Sequence, residues 1–249
     1  MARAKKKAAK GSNVSDLQAV MDYKNSKQLT IHDLKVIKPL TTPQSQMMES
    51  YFQGLSIFAT GSAGTGKSLV SLYLALNDLL QKNSTYKKIK IIRSIVPSRD
   101  IGYLPGDIEE KIEVYETPYK EIFTFLFDRP TSYEKFKDLG KVEFMPTSFL
   151  RGQTWDDSII VVDEVQNLNF QEINTVMTRV GTNSKIFLLG DSFQTDLYKN
   201  SRDKSGIESL EKILPHNKFF DTIHFTRDDI VRSEFVKSWL SSVEELTTL

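Results

Sequence analysis

The sequence predicts an α/β protein with a mostly parallel sheet and helices on both faces. Three observations carry this. From Pro39 onward, apolar strand-length runs alternate with helix-length segments, the pattern of consecutive βαβ units. A Gly-rich turn lies between one such strand and the helix after it. With 249 residues, 39% hydrophobic and 26% charged, the chain can bury one sizeable core.

Taken in order, residues 1–38 are polar and weakly periodic, with room for no more than a short helix or hairpin. They read as a basic leader and N-terminal extension, partly disordered, ahead of a domain over 39–249. Leu55–Thr60 reads as a buried strand, and residues 66–81 as a helix with Leu69, Val70, Leu72, Tyr73, Leu76, Leu79 and Leu80 at helical spacing. Lys90–Ile95 is the next strand. A long helical stretch then reaches about Phe127, and Val142–Met145 is a short strand. Ser158–Val162 is the strongest strand signal in the chain. A helix over 171–179 precedes a strand at Lys185–Leu189. Thr222–Phe225 reads as a last strand and residues 230–245 as an amphipathic helix with Val231, Phe235, Trp239, Leu240 and Val243.

Composition excludes several classes of function. The absence of cysteine rules out disulfides and thiolate zinc sites, and His32, His216 and His224 lack metal-ligand spacing. No apolar run approaches the ~18 residues of a membrane span, and the basic N-terminus is not followed by the apolar stretch of a secretory signal. The sequence therefore predicts a cytoplasmic protein. Net charge is +1, but Arg3, Lys5, Lys6, Lys7 and Lys10 fall in the first ten residues with no acid among them. That tail is either a solvated leader or an anchor for a phosphate backbone.

The chemistry lies in three segments. Gly61-Ser-Ala-Gly-Thr-Gly66-Lys67-Ser68 matches the full phosphate-loop pattern. Its glycines let successive N–H groups turn inward around phosphate oxygens, and the following helix adds its positive end. Lys67 is expected to reach the β- and γ-phosphates and Ser68 to ligate magnesium. Gly61, Ser62, Ala63, Gly64, Thr65, Gly66, Lys67, Ser68 and Leu69 form the expected ATP-binding set. Asp163-Glu164, at the end of the strongest strand, supplies the acids such a loop needs. Asp163 is expected to hold the metal and Glu164 to orient and deprotonate the attacking water. This adjacent pair favours hydrolysis over transfer to a second small substrate, and so argues against a small-molecule kinase. Gly190-Asp191-Ser-Phe-Gln194 repeats the arrangement after the next strand, where Gln194 could sense the γ-phosphate. Gln44, ahead of the first strand, has an amide suited to the adenine edge, although taken alone it reads more readily as a surface residue than as a ligand.

In this order the motifs resemble the first motor domain of superfamily-one helicases and, more closely, the PhoH-like ATPases. The longer match is Arg93-Ser-Ile-Val-Pro, Ile101-Gly-Tyr-Leu-Pro-Gly-Asp-Ile-Glu-Glu-Lys111, Pro118-Tyr119, Phe149-Leu-Arg-Gly-Gln-Thr154, Met177-Thr-Arg-Val-Gly181 and Asp229-Ile-Val-Arg232. It runs from about Pro39 to Glu245. The departures are Ser68 for the usual Thr, Val165 inside the acidic motif and Ser233 where His commonly follows the arginine; none removes a phosphate or metal ligand. The lack of long extensions resembles the short, phage-type members. The resemblance implies a RecA-like P-loop NTPase fold, Gln44 as an adenine contact, ATP and Mg²⁺ as cofactors, and a role in RNA or DNA unwinding or processing.

Helicases of this kind hydrolyse ATP between two RecA-like domains, and the sequence has room for one. The expectation is therefore a homo-oligomer, a hexameric ring by resemblance, in which a neighbour supplies an arginine finger. Arg232 is the first candidate and Arg179 the second. For single-stranded RNA or DNA the candidates are residues 93–103 and 151–155, each mixing arginine with an aromatic residue. The competing reading is an ATP-dependent switch or assembly scaffold that does not translocate.

Overall fold

The computed structural model describes residues 28–95, 108–150, 152–191 and 205–247. Along these runs the elements are α1 (Thr42–Phe52), β1 (Ser56–Gly61), α2 (Lys67–Leu79), β2 (Lys88–Arg93), α3 (Ile108–Phe127), α4 (Ser132–Asp138), β3 (Val142–Pro146), β4 (Ser158–Asp163), α5 (Phe170–Met177), β5 (Lys185–Leu189), α6 (Ile207–Ile213), β6 (Phe220–Phe225) and α7 (Glu234–Thr247).

The six strands form one sheet in the order β3-β2-β4-β5-β1-β6. Every pairing is parallel. Parallel pairing puts all the C-terminal strand ends on one edge, where open α/β sheets gather their ligands. β5 lies between β1 and β4, so the turns leaving β1 and β4 flank the end of β5.

Successive side chains of each strand enter opposite cores, as the two-residue period of a strand requires. Ile57, Ala59, Ile89, Ile91, Ile159, Val161, Phe187 and Leu189 pack with α1 to α4 through Met47, Tyr51, Leu72, Leu76, Tyr119, Phe123, Tyr133 and Phe136. Phe58, Ile92, Ile160, Val162, Ile186 and Leu188 pack on the other face with Trp155 and with Ile173, Val176, Ile207 and Leu210 of α5 and α6. Because the strands are buried on both faces, they read as near-continuous apolar runs, and that is why they were legible. The fold is thus the expected α/β P-loop NTPase type with helices on both faces. Residues 28–38 belong to it as well, since Leu29 and Leu34 are buried in the first core and Lys35 N–H donates to the Leu126 carbonyl of α3.

Three helices were not anticipated. α1 buries Gln44 and Ser50 beside Met47 and Tyr51, so its inward face mixes polar with apolar residues and shows little periodicity. α4 and α6 span seven residues each, too few for the period to declare itself. At the C-terminal end the helix expected over 230–245 begins only at Glu234. Ile230 has extended backbone, and Val231 N–H donates to the Gly64 carbonyl at 3.0 Å. A backbone group spent on the phosphate loop cannot also join a helical ladder, so the helix starts later.

Gly61 closes β1 against β6. Its φ is +113°, and a Cβ there would lie 1.8 Å from the Phe225 carbonyl oxygen. Neither the torsion nor the backbone contact admits a side chain. Gly61→Ala is expected to destabilise the fold by more than about 3 kcal/mol. Gly140→Ala, at φ +66° with nothing within 4 Å, should cost about 1–2 kcal/mol for the left-handed torsion alone. Paired thermal or urea unfolding of the two variants measures the difference.

Candidate nucleotide and metal site

The turn after β1 is held from three sides. Ser62 N–H donates to the Phe225 carbonyl of β6, and Val231 N–H donates to the Gly64 carbonyl. The Thr65 hydroxyl donates to the Ser62 carbonyl at 3.0 Å within the turn. Gln44 braces it from below: its Nε2 donates to the Thr65 carbonyl at 2.9 Å while its Oε1 accepts from Leu40 N–H at 2.8 Å. Gln44 is therefore a buried support of the loop. Its second amide proton and second lone pair are the groups left to meet a base.

Lys67 opens α2, whose N-cap Gly66 has φ +85°. Its Nζ donates to the carbonyls of Gly61 at 2.9 Å and Ser62 at 2.8 Å. Burial lowers its pKa, opposed by the nearby carboxylates of Asp191, Asp163 and Glu164. The ammonium is thus a desolvated cation facing acids across the cleft. One residue on, the Ser68 hydroxyl meets both Asp163 oxygens at 3.2 and 3.1 Å. A hydroxyl and a carboxylate separated by 95 residues in sequence are in direct contact.

Asp163 ends β4 and is 8% exposed. Besides Ser68, its Oδ1 accepts from Glu164 N–H at 3.1 Å and its Oδ2 from the hydroxyl of fully buried Tyr119 at 3.1 Å. Glu164 has φ +56°, a left-handed torsion that costs a non-glycine residue roughly 1–3 kcal/mol and is typical of functional positions. That torsion turns the chain off β4 and aims the Glu164 carboxylate into the cleft. Burial raises the Glu164 pKa above the ordinary glutamate value and the Asp163 carboxylate raises it further; the Arg93 guanidinium, 3.9 Å away, opposes both.

Gln166 joins this pair to the next strand end. Its Nε2 donates to Glu164 Oε2 at 2.5 Å, and its Oε1 accepts from Asp191 N–H at 2.9 Å. Residues 192–204, Gln194 included, lie outside the described residues.

Asp163 and Glu164 line a cleft of about 550 Å³ with Ala63 to Leu69, Arg93, Pro118, Tyr119, Gly190, Asp191, Val231 and Arg232. Lys67, Ser68, Asp163, Glu164 and Arg232 thus line one cleft, whereas Arg179 does not and Gln194 lies outside the described residues. Sequence reasoning gave no role to Tyr119, Gln166 or Arg93 at the carboxylates. Tyr119 and Gln166 were visible only as members of motifs, because the contacts that give them roles are tertiary.

The two arginine candidates separate. The Arg232 side chain lies over its own chain's phosphate loop, where a Cβ on Gly64 would sit 3.0 Å from Arg232 Cγ. Arg179 follows α5 and accepts through its carbonyl from Trp155 N–H, just ahead of β4. That is the sheet edge opposite the cleft. Trp155 itself corrects an expectation: at 2% exposed it is a core side chain in contact with the second cluster and cannot stack on a base. Of the two nucleic-acid candidates, residues 96–103 and Arg151 lie outside the described residues.

The donors suit magnesium. That ion takes one or two protein oxygens and leaves its other positions to water and phosphate, and Ser68 with Asp163 offers that set beside a phosphate-sized turn. Among the described residues no cluster of three or more His, Asp or Glu side chains would hold a metal unaided.

The family model described as "PhoH-like protein" matches residues 36–244. This chain belongs to the PhoH-like family. Among curated PhoH-like relatives, that of Mycobacterium tuberculosis strain H37Rv is 32% identical over 203 residues, covering 81% of this chain and 56% of the relative. That of Bacillus subtilis strain 168 is 30% identical over 213 residues, covering 85% and 65%. Protein PhoH of Escherichia coli K12 is 32% identical over 179 residues, covering 71% and 49%. The PhoH-like chain thus spans about half to two-thirds of the length of these relatives. Among solved structures, the Pif1 helicase of Candida albicans aligns over 77% of this chain and 40% of its own with a TM-score of 0.37 and 17% identity. No helix among the described residues is long and apolar enough to cross a membrane.

The electrostatics of the PhoH-like site can be tested without turnover. In metal-free buffer, carbon NMR of the Glu164 carboxyl should titrate above the ordinary glutamate value. Asp163→Asn removes a like charge and should bring the value down, while Arg93→Ala removes the opposing cation and should raise it. A Glu164 that titrates normally in all three proteins contradicts the arrangement.

Proposed function

We propose that this PhoH-like protein binds ATP with magnesium, hydrolyses it, and couples turnover to single-stranded RNA or DNA as a head-to-tail ring. The observation that carries the reading is the contact of Ser68 with Asp163 at 3.1 Å, beside Lys67 and with Glu164 next in the chain. The loop N–H groups and the start of α2 bind the phosphates. Magnesium, when bound, neutralises charge between the terminal phosphates. Lys67 leaves the Gly61 and Ser62 carbonyls for the phosphate oxygens, which compensate its desolvation better than neutral carbonyls do. Glu164, held by Gln166 and faced by Arg93, orients a water in line with the γ-phosphate and accepts its proton.

The arginine positions refine the ring. Arg232 sits where it meets phosphate bound to its own chain. Arg179, on the opposite edge, can meet a nucleotide only in another copy, as a head-to-tail ring provides. Family membership and the sequence resemblance to superfamily-one motor domains support the coupling to nucleic acid.

Lys67→Ala and Glu164→Gln should each lower ATP turnover about 10²-fold or more. Glu164→Gln should still bind ATP with magnesium, and Lys67→Ala should bind it poorly. Normal hydrolysis by Glu164→Gln removes the base assignment. Adding single-stranded RNA or DNA to the wild-type assay should stimulate turnover; no stimulation favours a nucleotide-driven switch. A monomer with full activity contradicts the ring and the role of Arg179.

A further inference from the structure

Three buried tyrosines among the described residues each give their hydroxyl to a carboxylate. Tyr51 donates to Asp78 at 2.7 Å and Tyr133 to Glu116 at 3.2 Å. Both pairs lie outside the cleft, where they satisfy a buried hydroxyl between packed helices. Tyr119 makes the same kind of bond, at 3.1 Å, but to Asp163, beside the phosphate loop.

Its surroundings leave it little freedom. The ring is fully buried, packs against Phe144 of β3 at 5.8 Å between centroids, and projects from α3 just after Pro118. The Arg93 guanidinium is close enough to the Tyr119 hydroxyl to act on it electrostatically. Arg93 stands at the end of β2, one strand over from Asp163, with its guanidinium 5.9 Å from the Tyr115 ring and 3.9 Å from Glu164. Arg93 therefore stands beside both Glu164 and the Tyr119 hydroxyl that donates to Asp163 Oδ2.

The Asp163 carboxylate has three donors: Ser68 Oγ, Glu164 N–H and Tyr119 Oη. If Ser68 ligates a metal, its oxygen would give a lone pair to the ion while its O–H could still donate to Asp163; that one donor lies 3.2 and 3.1 Å from the two carboxylate oxygens and so does not by itself fix their orientation. The Glu164 N–H holds Oδ1 alone. Tyr119 is the donor that meets Oδ2 alone, and together with Glu164 N–H on Oδ1 it fixes the plane of the carboxylate.

We propose that Tyr119 is a positioning residue for the metal-holding carboxylate, with Arg93 as its anchor. This rests on the reading of Asp163 as the magnesium-side acid. Partners behind a metal ligand typically change metal affinity about 10–100-fold, so the consequence is measurable.

The test counts free Mn²⁺ by electron paramagnetic resonance as it is titrated into the protein with saturating ADP, for wild type, Tyr119→Phe and Tyr133→Phe. Tyr119→Phe should bind Mn²⁺ about 10-fold more weakly, with metal-free ADP affinity unchanged. In ATP turnover it should need correspondingly more Mg²⁺ for half-maximal rate. Tyr133→Phe, which loses a carboxylate partner outside the site, should keep wild-type Mn²⁺ affinity even where its thermal midpoint falls. Arg93→Lys gives a second route should Tyr119→Phe fold poorly: an ammonium cannot serve both Tyr119 and Glu164 as a planar fork does, so metal affinity should fall there too. A folded Tyr119→Phe with wild-type Mn²⁺ affinity overturns the proposal, as does an equal loss in Tyr133→Phe, which marks a structural effect. A wild-type protein that takes up no Mn²⁺ with ADP contradicts the magnesium reading itself, a different result from a normal wild type with an unaffected variant.

Discussion

The contact between Ser68 and Asp163 is the constraint on which the rest of the structure depends. A hydroxyl from the start of α2 and a carboxylate from the end of β4 meet at 3.1 Å only if β1, β5 and β4 run parallel in that order. Parallel strands of matched length then bring both turns to one edge. That pairing in turn requires crossover helices and two cores, and hence strands apolar on both sides. The local departures from regular structure serve the same contact. Gly61 lets β1 approach β6 closely, Glu164 takes a left-handed torsion to leave β4, and Val231 gives up a helical bond to hold Gly64.

A second theme is the placing of charge where water is scarce. Lys67, Asp163, Asp191 and Glu164 share one cleft, with Arg93 at its rim. Each is costly to desolvate alone, and each has an opposite charge or a donor nearby. The result is a set of groups kept close to balance, which the proposed triphosphate and its metal would shift. Gln166 makes that shift transmissible, because the same amide touches Glu164 and the first residue after β5.

Much of this was legible in the sequence, for identifiable reasons. The strands were readable because burial on both faces demands unbroken apolar runs. The phosphate loop and its acids were readable because phosphate and metal chemistry fix residue types at fixed spacing. α1, α4 and α6 escaped because one buries polar side chains and two are a bare two turns long. Trp155 looked like a stacking residue because an aromatic next to arginine carries no sign of which sheet edge it reaches; the chain returns to the start of β4 there, and the ring goes into the core. Gln44 was expected at the base and is seen first as a brace of Thr65, a contact that depends on the unanticipated α1. The role of Tyr119 is a matter of three-dimensional contact alone.

Family membership shows which fold and motifs the chain shares; whether a triphosphate is held between Ser68 and Asp163 is a physical question about this chain. Titration calorimetry with a non-hydrolysable ATP analogue, with and without magnesium, answers it most directly. The account expects one site per chain, with affinity that drops when magnesium is chelated and that loses this magnesium dependence in Asp163→Asn. A folded wild-type protein that takes up no nucleotide, or one whose affinity ignores magnesium, would contradict it.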